Sequence, residues 1–301
     1  VDTTLSFTSV PTDALWTYTA TAGYTDAYSV EAAAYSGLSF SVATQDATPY
    51  GMAFSSDGTK MYIVGFDNKA VLQYTLATAW NVSTATYASL SKSVYAQETG
   101  PQGVTFSSDG TKMYVVGYNS DSVHQYTLGT AWNVSTATYA SLSKSVAAQD
   151  AAPREVAFST DGTKMYVVGT ANDSVYQYTL STAWNVSTAT HALSVNVYAQ
   201  AGTPYSVAFS SDGTKMYILG NTKSVVQYNL ATAWNVSTAT YASLISVLPQ
   251  DTIPWGMAFS TDGTKMYITG NTNDRVFQYN SAIPTTLTVP AAVQNPPTTV
   301  F

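Results

Sequence analysis

Few side chains in this sequence have the types and spacing that catalysis usually requires. Its 301 residues include two histidines, His124 and His191, and no cysteine. The lack of cysteine excludes thiolate chemistry and cysteine-bound zinc or iron–sulfur sites. Neither histidine recurs in the other repeats or has a repeated acidic or nucleophilic companion. We therefore predict no catalytic residue, no metal site and no cofactor, and interpret both histidines as polar side chains at the surface or between structural units.

One aspartate recurs at intervals of 50 to 52 residues within the phrase F-S-(S/T)-D-G-T-K-M-Y. The five copies are Asp57, Asp109, Asp161, Asp212 and Asp262. Aspartate in loops is a common calcium ligand. Each copy, however, directly precedes a glycine, as in a hairpin turn where the Asp side chain accepts backbone N–H bonds. Copies spread around a repeat structure would also lie too far apart to share one ion, so we interpret them as turn residues.

The repeat itself predicts the fold. Each unit divides into four short strand-like segments, which in the first copy are residues 51–55, 60–65, 70–76 and 89–97. Turn residues separate the segments and no helical period is present. Four antiparallel strands in a unit of about 50 residues are typical of a β-propeller blade. The sequence predicts an all-β protein, a propeller of five four-stranded blades, with a β-helix solenoid as the alternative.

The ends of the repeat array predict how the ring closes. A fourth-strand segment at 38–45 precedes the first complete unit, and the last unit, which begins near 256, lacks one. We expect the N-terminal strand 38–45 to complete the last blade, because closure hides the sheet edges. The predicted domains are an N-terminal extension or the end of a preceding module (1–30), the propeller (31–280) and a Pro-rich linker or the start of a following module (281–301).

The pattern P-x-G-x-A-F-S-x-D-G-T-K-M-Y-x-x-G, followed by V-x-Q-Y-x-L, resembles YVTN/YncE-like or NHL-like β-propeller repeats over roughly residues 38–280. It is similar to the near-identical repeats of cyanobacterial and marine phage tail or surface proteins. The C-terminal IPTTLTVPAAVQNPPTTVF looks like a junction into a following module of a phage tail protein. The resemblance implies the propeller fold but no particular function, because propellers host enzymes, lectins and scaffolds alike.

The composition limits the classes of partner that the protein can bind. The net charge is −7 and charged residues make up 10% of the chain, with no cluster of basic residues that could neutralise phosphates. We expect no nucleic-acid partner, and no membrane insertion because no apolar run reaches about 18 residues. The Ser/Thr-rich, low-charge composition favours an extracellular or virion-surface location. Four N-V-S sequons follow tryptophans, and we interpret them as turn-forming segments (Asn81, Asn133, Asn185, Asn235).

Variation among the five repeats concentrates at the residue that follows the proline before the first strand of each unit. These residues are Tyr50, Gln102, Arg154, Tyr205 and Trp255. In an up-and-down blade, this position and the variable second loop emerge on the same face, near the central channel. Aromatic rings stack on apolar C–H surfaces while Arg and Gln supply hydrogen bonds, so we predict a ligand-binding channel rim. The alternative is unconstrained drift in exposed loops.

These observations predict a non-enzymatic extracellular or virion module of phage tail-fibre or adhesin type. It would bind a host-surface glycan or protein receptor through the variable face. Other virion or filament subunits are predicted to contact residues 1–30 and 281–301. The alternatives are a purely structural spacer or assembly module and, less well supported, a propeller hydrolase or lyase.

Overall fold

The computed structural model describes residues 27–281, which form a ring of five four-stranded antiparallel sheets. Within each sheet, strands a, b, c and d pair in order, and the a strands of neighbouring sheets contact each other around the centre. The predicted all-β, five-bladed propeller is therefore confirmed. Of the predicted flanking segments, residues 1–26 and 282–301 lie outside the described part of the chain.

The strands have the following bounds in the order a, b, c, d. Blade 1 contains β2 (Pro49–Phe54), β3 (Lys60–Gly65), β4 (Ala70–Leu76) and β5 (Ala85–Ser93). Blade 2 contains β6 (Pro101–Phe106), β7 (Lys112–Gly117), β8 (Ser122–Leu128) and β9 (Ala137–Ser145). Blade 3 contains β10 (Pro153–Phe158), β11 (Lys164–Gly169), β12 (Ser174–Leu180) and β13 (Ala189–Asn196). Blade 4 contains β14 (Pro204–Phe209), β15 (Lys215–Gly220), β16 (Ser224–Leu230) and β17 (Ala239–Ser246). Blade 5 contains β18 (Pro254–Phe259), β19 (Lys265–Gly270), β20 (Arg275–Asn280) and β1 (Ala34–Ser41).

Within residues 27–281, helical structure is confined to short connections. One α-helix, α1 (Tyr198–Ala201), precedes strand a of blade 4. The c–d connections of blades 1 to 4 each contain a 3₁₀ turn (Val82–Thr84, Val134–Thr136, Val186–Thr188, Val236–Thr238). The sequon asparagine caps each turn, as when Asn81 Oδ1 accepts from the N–H of Ser83 at 3.1 Å. None of the described helices is long and apolar enough to cross a membrane.

The N-terminal strand closes the ring as predicted, but its bounds differ. β1 pairs antiparallel with β20, with Leu38 opposite Gln278 and Phe40 opposite Val276. The strand covers residues 34–41 rather than 38–45, because the chain turns at Val42, whose carbonyl accepts from the N–H groups of Gln45 and Asp46 at 2.9 and 3.0 Å. The same turn ends β5, where the Gln97 N–H donates to the Val94 carbonyl. A valine three residues before a glutamine therefore marks the end of strand d, not its interior.

Two side chains of the repeat tie each blade to the next. The tyrosine of K-M-Y is fully buried and reaches across the blade interface, as when the Tyr62 hydroxyl donates to the Trp132 carbonyl at 2.7 Å. The glutamine of strand c accepts a hydrogen bond from the 3₁₀ turn of the next blade, as in the bond from the Val134 N–H to Gln73 Oε1 at 3.1 Å. At the closure, Tyr28 takes the place of the tryptophan and its carbonyl accepts from the Tyr217 hydroxyl. The K-M-Y phrase is thus repeated because every interface needs it.

The repeated aspartate organises the a–b hairpin, which confirms its interpretation as a turn residue. Asp109 Oδ1 accepts from the Ser107 hydroxyl at 2.6 Å and from the Thr111 N–H at 3.0 Å. These hydrogen bonds stabilise the carboxylate and lower the pKa of Asp57, Asp109 and Asp161 to about 2.

We expect Asp109→Asn to destabilise the protein at pH 6 and to have little effect at pH 2. The folded-state pKa lies below the ordinary value of 3.8, so the stabilisation is present above about pH 4 and is lost as the pH falls towards 2. Urea midpoints of both proteins at the two pH values measure the effect. An equal loss of stability at pH 2 and pH 6 would contradict it.

Candidate functional site

The five predicted rim residues come together at one end of the ring. The Trp255 ring lies 4.8 Å from the ring of Tyr50 and 4.3 Å from that of Tyr205, between centroids. Arg154 Nη1 donates to Gln102 Oε1 at 2.9 Å, and its guanidinium carbon lies 5.4 Å from the centre of the Trp255 ring. We call these five residues the rosette. Their side chains contact one another, and all of them except Gln102 keep partly exposed surface.

A narrow neck lies directly below the rosette, at the next residue of each a strand. The residues there are Gly51, Gly103, Glu155, Ser206 and Gly256. A Cβ atom at Gly51 would lie 2.7 Å from the carbonyl oxygen of Gln102 and 2.8 Å from the Cα atom of Gly103. Adjacent a strands therefore approach closely enough at this level that only a residue without a side chain fits at Gly51.

A central cavity of about 240 Å³ lies below the neck. Its wall consists of a-strand residues, among them Glu155 of the neck, together with Trp80, Trp132 and serines beside the a–b turns. The a strands contribute five phenylalanines (Phe54, Phe106, Phe158, Phe209, Phe259). The lining reaches the exposed residues Ser56, Ser108 and Thr261 beside the a–b turns, so the cavity opens on that face. This face carries the constant phrase of the repeat. The ligand-binding rim predicted from the sequence lies on the opposite, variable face, at the rosette.

Glu155 is the one titratable side chain in the lining formed by the described residues. It is 5% exposed, and its Oε1 atom accepts from the Val156 N–H at 3.0 Å. Burial raises the pKa of the Glu155 carboxyl well above its ordinary value, so the group keeps its proton to higher pH than an exposed glutamate does. A neutral carboxylic acid can donate a hydrogen bond or a proton, which a carboxylate cannot.

The sequence analysis did not select Glu155, although a signal was present. The variable residues that follow the proline lie one position before the level of Glu155. At the next position the repeats have Gly51, Gly103, Ser206 and Gly256, so a single glutamate replaces small residues. Glu155 can be identified from the sequence because it is a long ionisable side chain at a position where the other repeats have glycine or serine.

Blade 2 contains a second polar cluster that the sequence analysis missed. The Ser120 hydroxyl lies 2.9 Å from His124 Nε2 and donates to Glu98 Oε2. His124 Nδ1 is buried and has no hydrogen-bond partner among the described residues. A catalytic triad needs its acid on that nitrogen, whereas here the acid contacts the serine.

Glu98 also has a structural role that explains its position. Its carboxylate accepts from the N–H groups of Gly100 and Ser120, at 2.6 and 3.1 Å. Asp150 does the same in the next blade, where it accepts from the N–H groups of Ala152 and Asn172 at 2.9 and 3.0 Å. These buried acids hold the b–c loops. The second histidine, His191, is exposed on β13.

Comparison with known proteins identified one family. The model of the family described as "Lactonase, 7-bladed beta-propeller" matches residues 12–190, more than half of the chain. Residues 27–281 form five blades, not the seven of that description. A comparison with curated proteins found no match.

Solved propellers are similar at low sequence identity. A protein of unknown function from Desulfotomaculum acetoxidans is 13% identical with a TM-score of 0.52, covering 81% of this chain and 86% of that one. A periplasmic gluconolactonase from Pseudomonas aeruginosa is 16% identical with a TM-score of 0.45, covering 77% and 66%. A Bacteroides uniformis protein provisionally named a 6-phosphogluconolactonase is 14% identical with a TM-score of 0.47, covering 76% and 65%. The chain thus spans slightly less than two thirds of the latter two. The similarity to the Desulfotomaculum acetoxidans protein supports the fold alone.

The family match corrects the predicted function. The sequence analysis predicted a non-enzymatic module of phage tail-fibre or adhesin type, and the match to a lactonase family contradicts that prediction. The virion-surface location has no support for the same reason. The resemblance to propeller repeats is confirmed at the level of a β-propeller family, while its finer assignment to cyanobacterial or phage repeats stays a prediction.

Proposed function

The chain belongs to the lactonase, 7-bladed β-propeller family, and we propose that it hydrolyses a small lactone in its central cavity. Glu155 supports this proposal most directly, since it is a buried acid whose pKa is raised by burial and it lines the cavity. Perturbed carboxyl groups in clefts are frequent acid catalysts. We place the enzyme outside the cytoplasm as part of the same proposal, in keeping with its low-charge, Ser/Thr-rich composition.

The proposed reaction uses both oxygens of the Glu155 carboxyl group. A water molecule attacks the lactone carbonyl carbon, and the bond between that carbon and the ring oxygen breaks. Glu155 donates its proton to the departing ring oxygen and takes back the proton that the water loses. The products are a hydroxy acid and the unchanged carboxyl group, so protons and electrons balance.

The lining favours a small and largely apolar substrate. The cavity volume of about 240 Å³ lies below the usual range for sites that hold drug-sized ligands. Apart from Glu155, the described lining consists of apolar and aromatic side chains with a few hydroxyls near the mouth, such as Ser55 and Ser107. No lysine or arginine in the described lining could pair with a phosphate group. A simple alkyl lactone fits this chemistry better than a phosphorylated sugar lactone.

Hydrolysis of δ-valerolactone, followed by base uptake at constant pH, tests the proposal. We expect the wild-type protein to release acid faster than buffer, at a rate proportional to protein concentration. Ala208→Phe should abolish this activity, because Ala208 lies in the cavity wall and the larger side chain fills the space. Thr105→Ala is the matched control, since the other four blades already have alanine at this position (Ala53, Ala157, Ala208, Ala258).

Two results would contradict the proposal. One is a wild-type rate equal to that of heat-denatured protein. The other is an Ala208→Phe variant that keeps the wild-type kcat/KM while its circular dichroism spectrum and melting temperature show an intact fold.

A further inference from the structure

The rosette has features of a second, separate binding site, and we propose that it binds a small aromatic carboxylate. It lies above the neck, and none of its five residues lines the central cavity. The inference does not depend on lactone hydrolysis. It rests on hydrogen-bond donors and a positive charge that the protein itself leaves without partners.

The guanidinium group of Arg154 is fixed but not neutralised. One nitrogen, Nη1, donates to Gln102 Oε1 at 2.9 Å, whereas the buried Nε has no partner among the described residues. No carboxylate within residues 27–281 forms an ion pair with Arg154. Removing a cation from water is costly unless it is paired, so an arginine held in this state is suited to an external anion.

A second donor in the same cluster is also unused. The indole nitrogen of Trp255 is buried and has no acceptor among the described residues. Arg154 lies over the Trp255 ring and, at 5.4 Å from its centre, over the ring of Tyr118. An acceptor-only group, such as a carboxylate, would satisfy unused N–H groups that cost free energy when left unpaired.

Aromatic rings supply the rest of the site. Trp255 contacts both Tyr50 and Tyr205 with interplanar angles of 55° and 42°. Phe66 extends the cluster on the far side of Tyr50, at 5.7 Å between ring centres. Tilted rings of this kind present both faces and edges, which suits another flat ring. The combination of a planar cation and aromatic walls therefore favours an aromatic acid over a phosphate or an aliphatic acid.

The acidic groups near the rosette are already engaged. Asp46 accepts from the N–H groups of Thr48 and Asn68, at 2.8 and 3.0 Å. Asp150, the acid whose charge acts on Arg154, accepts from backbone N–H groups of its own b–c loop. Asp67 accepts from the Thr48 hydroxyl at 3.0 Å. These carboxylates make the local electrostatic potential more negative, but none of them occupies the position of a ligand at Arg154. We therefore expect anion binding there to be selective rather than tight.

Titration of ¹⁵N-labelled protein with sodium benzoate tests the proposal. The signal is the indole N–H resonance of Trp255, identified by its loss in Trp255→Phe. We expect it to move in a saturable manner, and we expect Arg154→Gln to weaken binding by about tenfold or more, as for loss of a charge-assisted pair. Arg154→Lys keeps the charge but loses the planar fork, so it should also bind more weakly than wild type.

Arg275→Gln is the matched control, because it removes the same charge from the b–c end of blade 5, where Arg275 Nε donates to Ser39 Oγ. It should leave the benzoate affinity unchanged. Benzyl alcohol and inorganic phosphate separate the two parts of the ligand, and each should bind at least about tenfold more weakly than benzoate. The proposal is overturned if benzoate produces no saturable shift, if folded Arg154→Gln binds as wild type does, or if either probe equals benzoate.

Discussion

Replacing Glu155 by glutamine will lower kcat/KM for δ-valerolactone by about 10²–10⁴-fold, the usual contribution of a general acid or base. Glutamine has nearly the same size and can still accept the bond from the Val156 N–H through Oε1. It cannot transfer a proton. The comparison therefore removes the chemistry of the side chain and leaves its packing in place.

The pH dependence follows from the direction of the pKa shift. Burial raises the pKa of Glu155, so the catalytically competent protonated form persists to higher pH than in an exposed glutamate. The wild-type rate attributable to the enzyme should fall as the pH rises through that pKa, whereas the residual rate of Glu155→Gln should show no such step. A variant that retains the wild-type rate and pH profile would exclude Glu155 as the acid.

The same substitution has an independent effect on stability. In the unfolded chain Glu155 ionises near its ordinary pKa of 4.5, whereas in the folded protein it stays protonated to higher pH. The wild-type protein therefore loses stability as the pH rises above about 4.5, because folding must retain the proton. Glu155→Gln, which does not titrate, should be as stable as wild type at pH 4 and more stable at pH 8. Urea midpoints at both pH values check this, and they do so whether or not a lactone is hydrolysed.

Repetition made the architecture predictable from the sequence. Each copy has the same four segments, and the unmatched strand at one end completes the unmatched blade at the other. The strand bounds were less predictable, because alternation continues through Val42 although the backbone has already turned there. The positive φ of Trp80 was also unpredictable from composition, since tryptophan rarely adopts it and does so here to place its ring beneath Gly58.

The candidate sites were predictable only in part. The topology of an antiparallel blade was sufficient to bring Tyr50, Arg154 and Trp255 to one face. How closely their side chains approach one another depends on the width of the neck, and that width is set by backbone contacts between distant glycines such as Gly51 and Gly256. The cavity on the other face depends on the same neck. Repeat comparison reveals which positions differ, but burial decides which difference has chemical consequences, as it does for Glu155.

Gly110→Ala will destabilise the protein by about 3 kcal/mol, from strain at a positive φ and overpacking against a buried ring. Gly110 has a φ of +69° in the a–b turn, a conformation that costs any residue with a Cβ atom. That atom would also overlap the Trp132 ring. Because the ring packs on Phe106 and Tyr62, displacing it disturbs the interface between blades 1 and 2.

Gly129→Ala in the same blade is the matched control for this effect. Gly129 has no positive φ, and an added Cβ atom would meet nothing closer than 3.7 Å. The equivalent residues of three other blades are Ala77, Ser181 and Ala231, so the position accepts a side chain. Its effect should stay within about 0.5 kcal/mol, as for an ordinary surface substitution. The free energies of unfolding of both variants, measured by chemical denaturation, distinguish a general intolerance of alanine from the specific contact between the turn and the Trp132 ring. Equal losses at Gly110 and Gly129 would show that the packing of the tryptophan does not depend on the glycine of the repeated phrase.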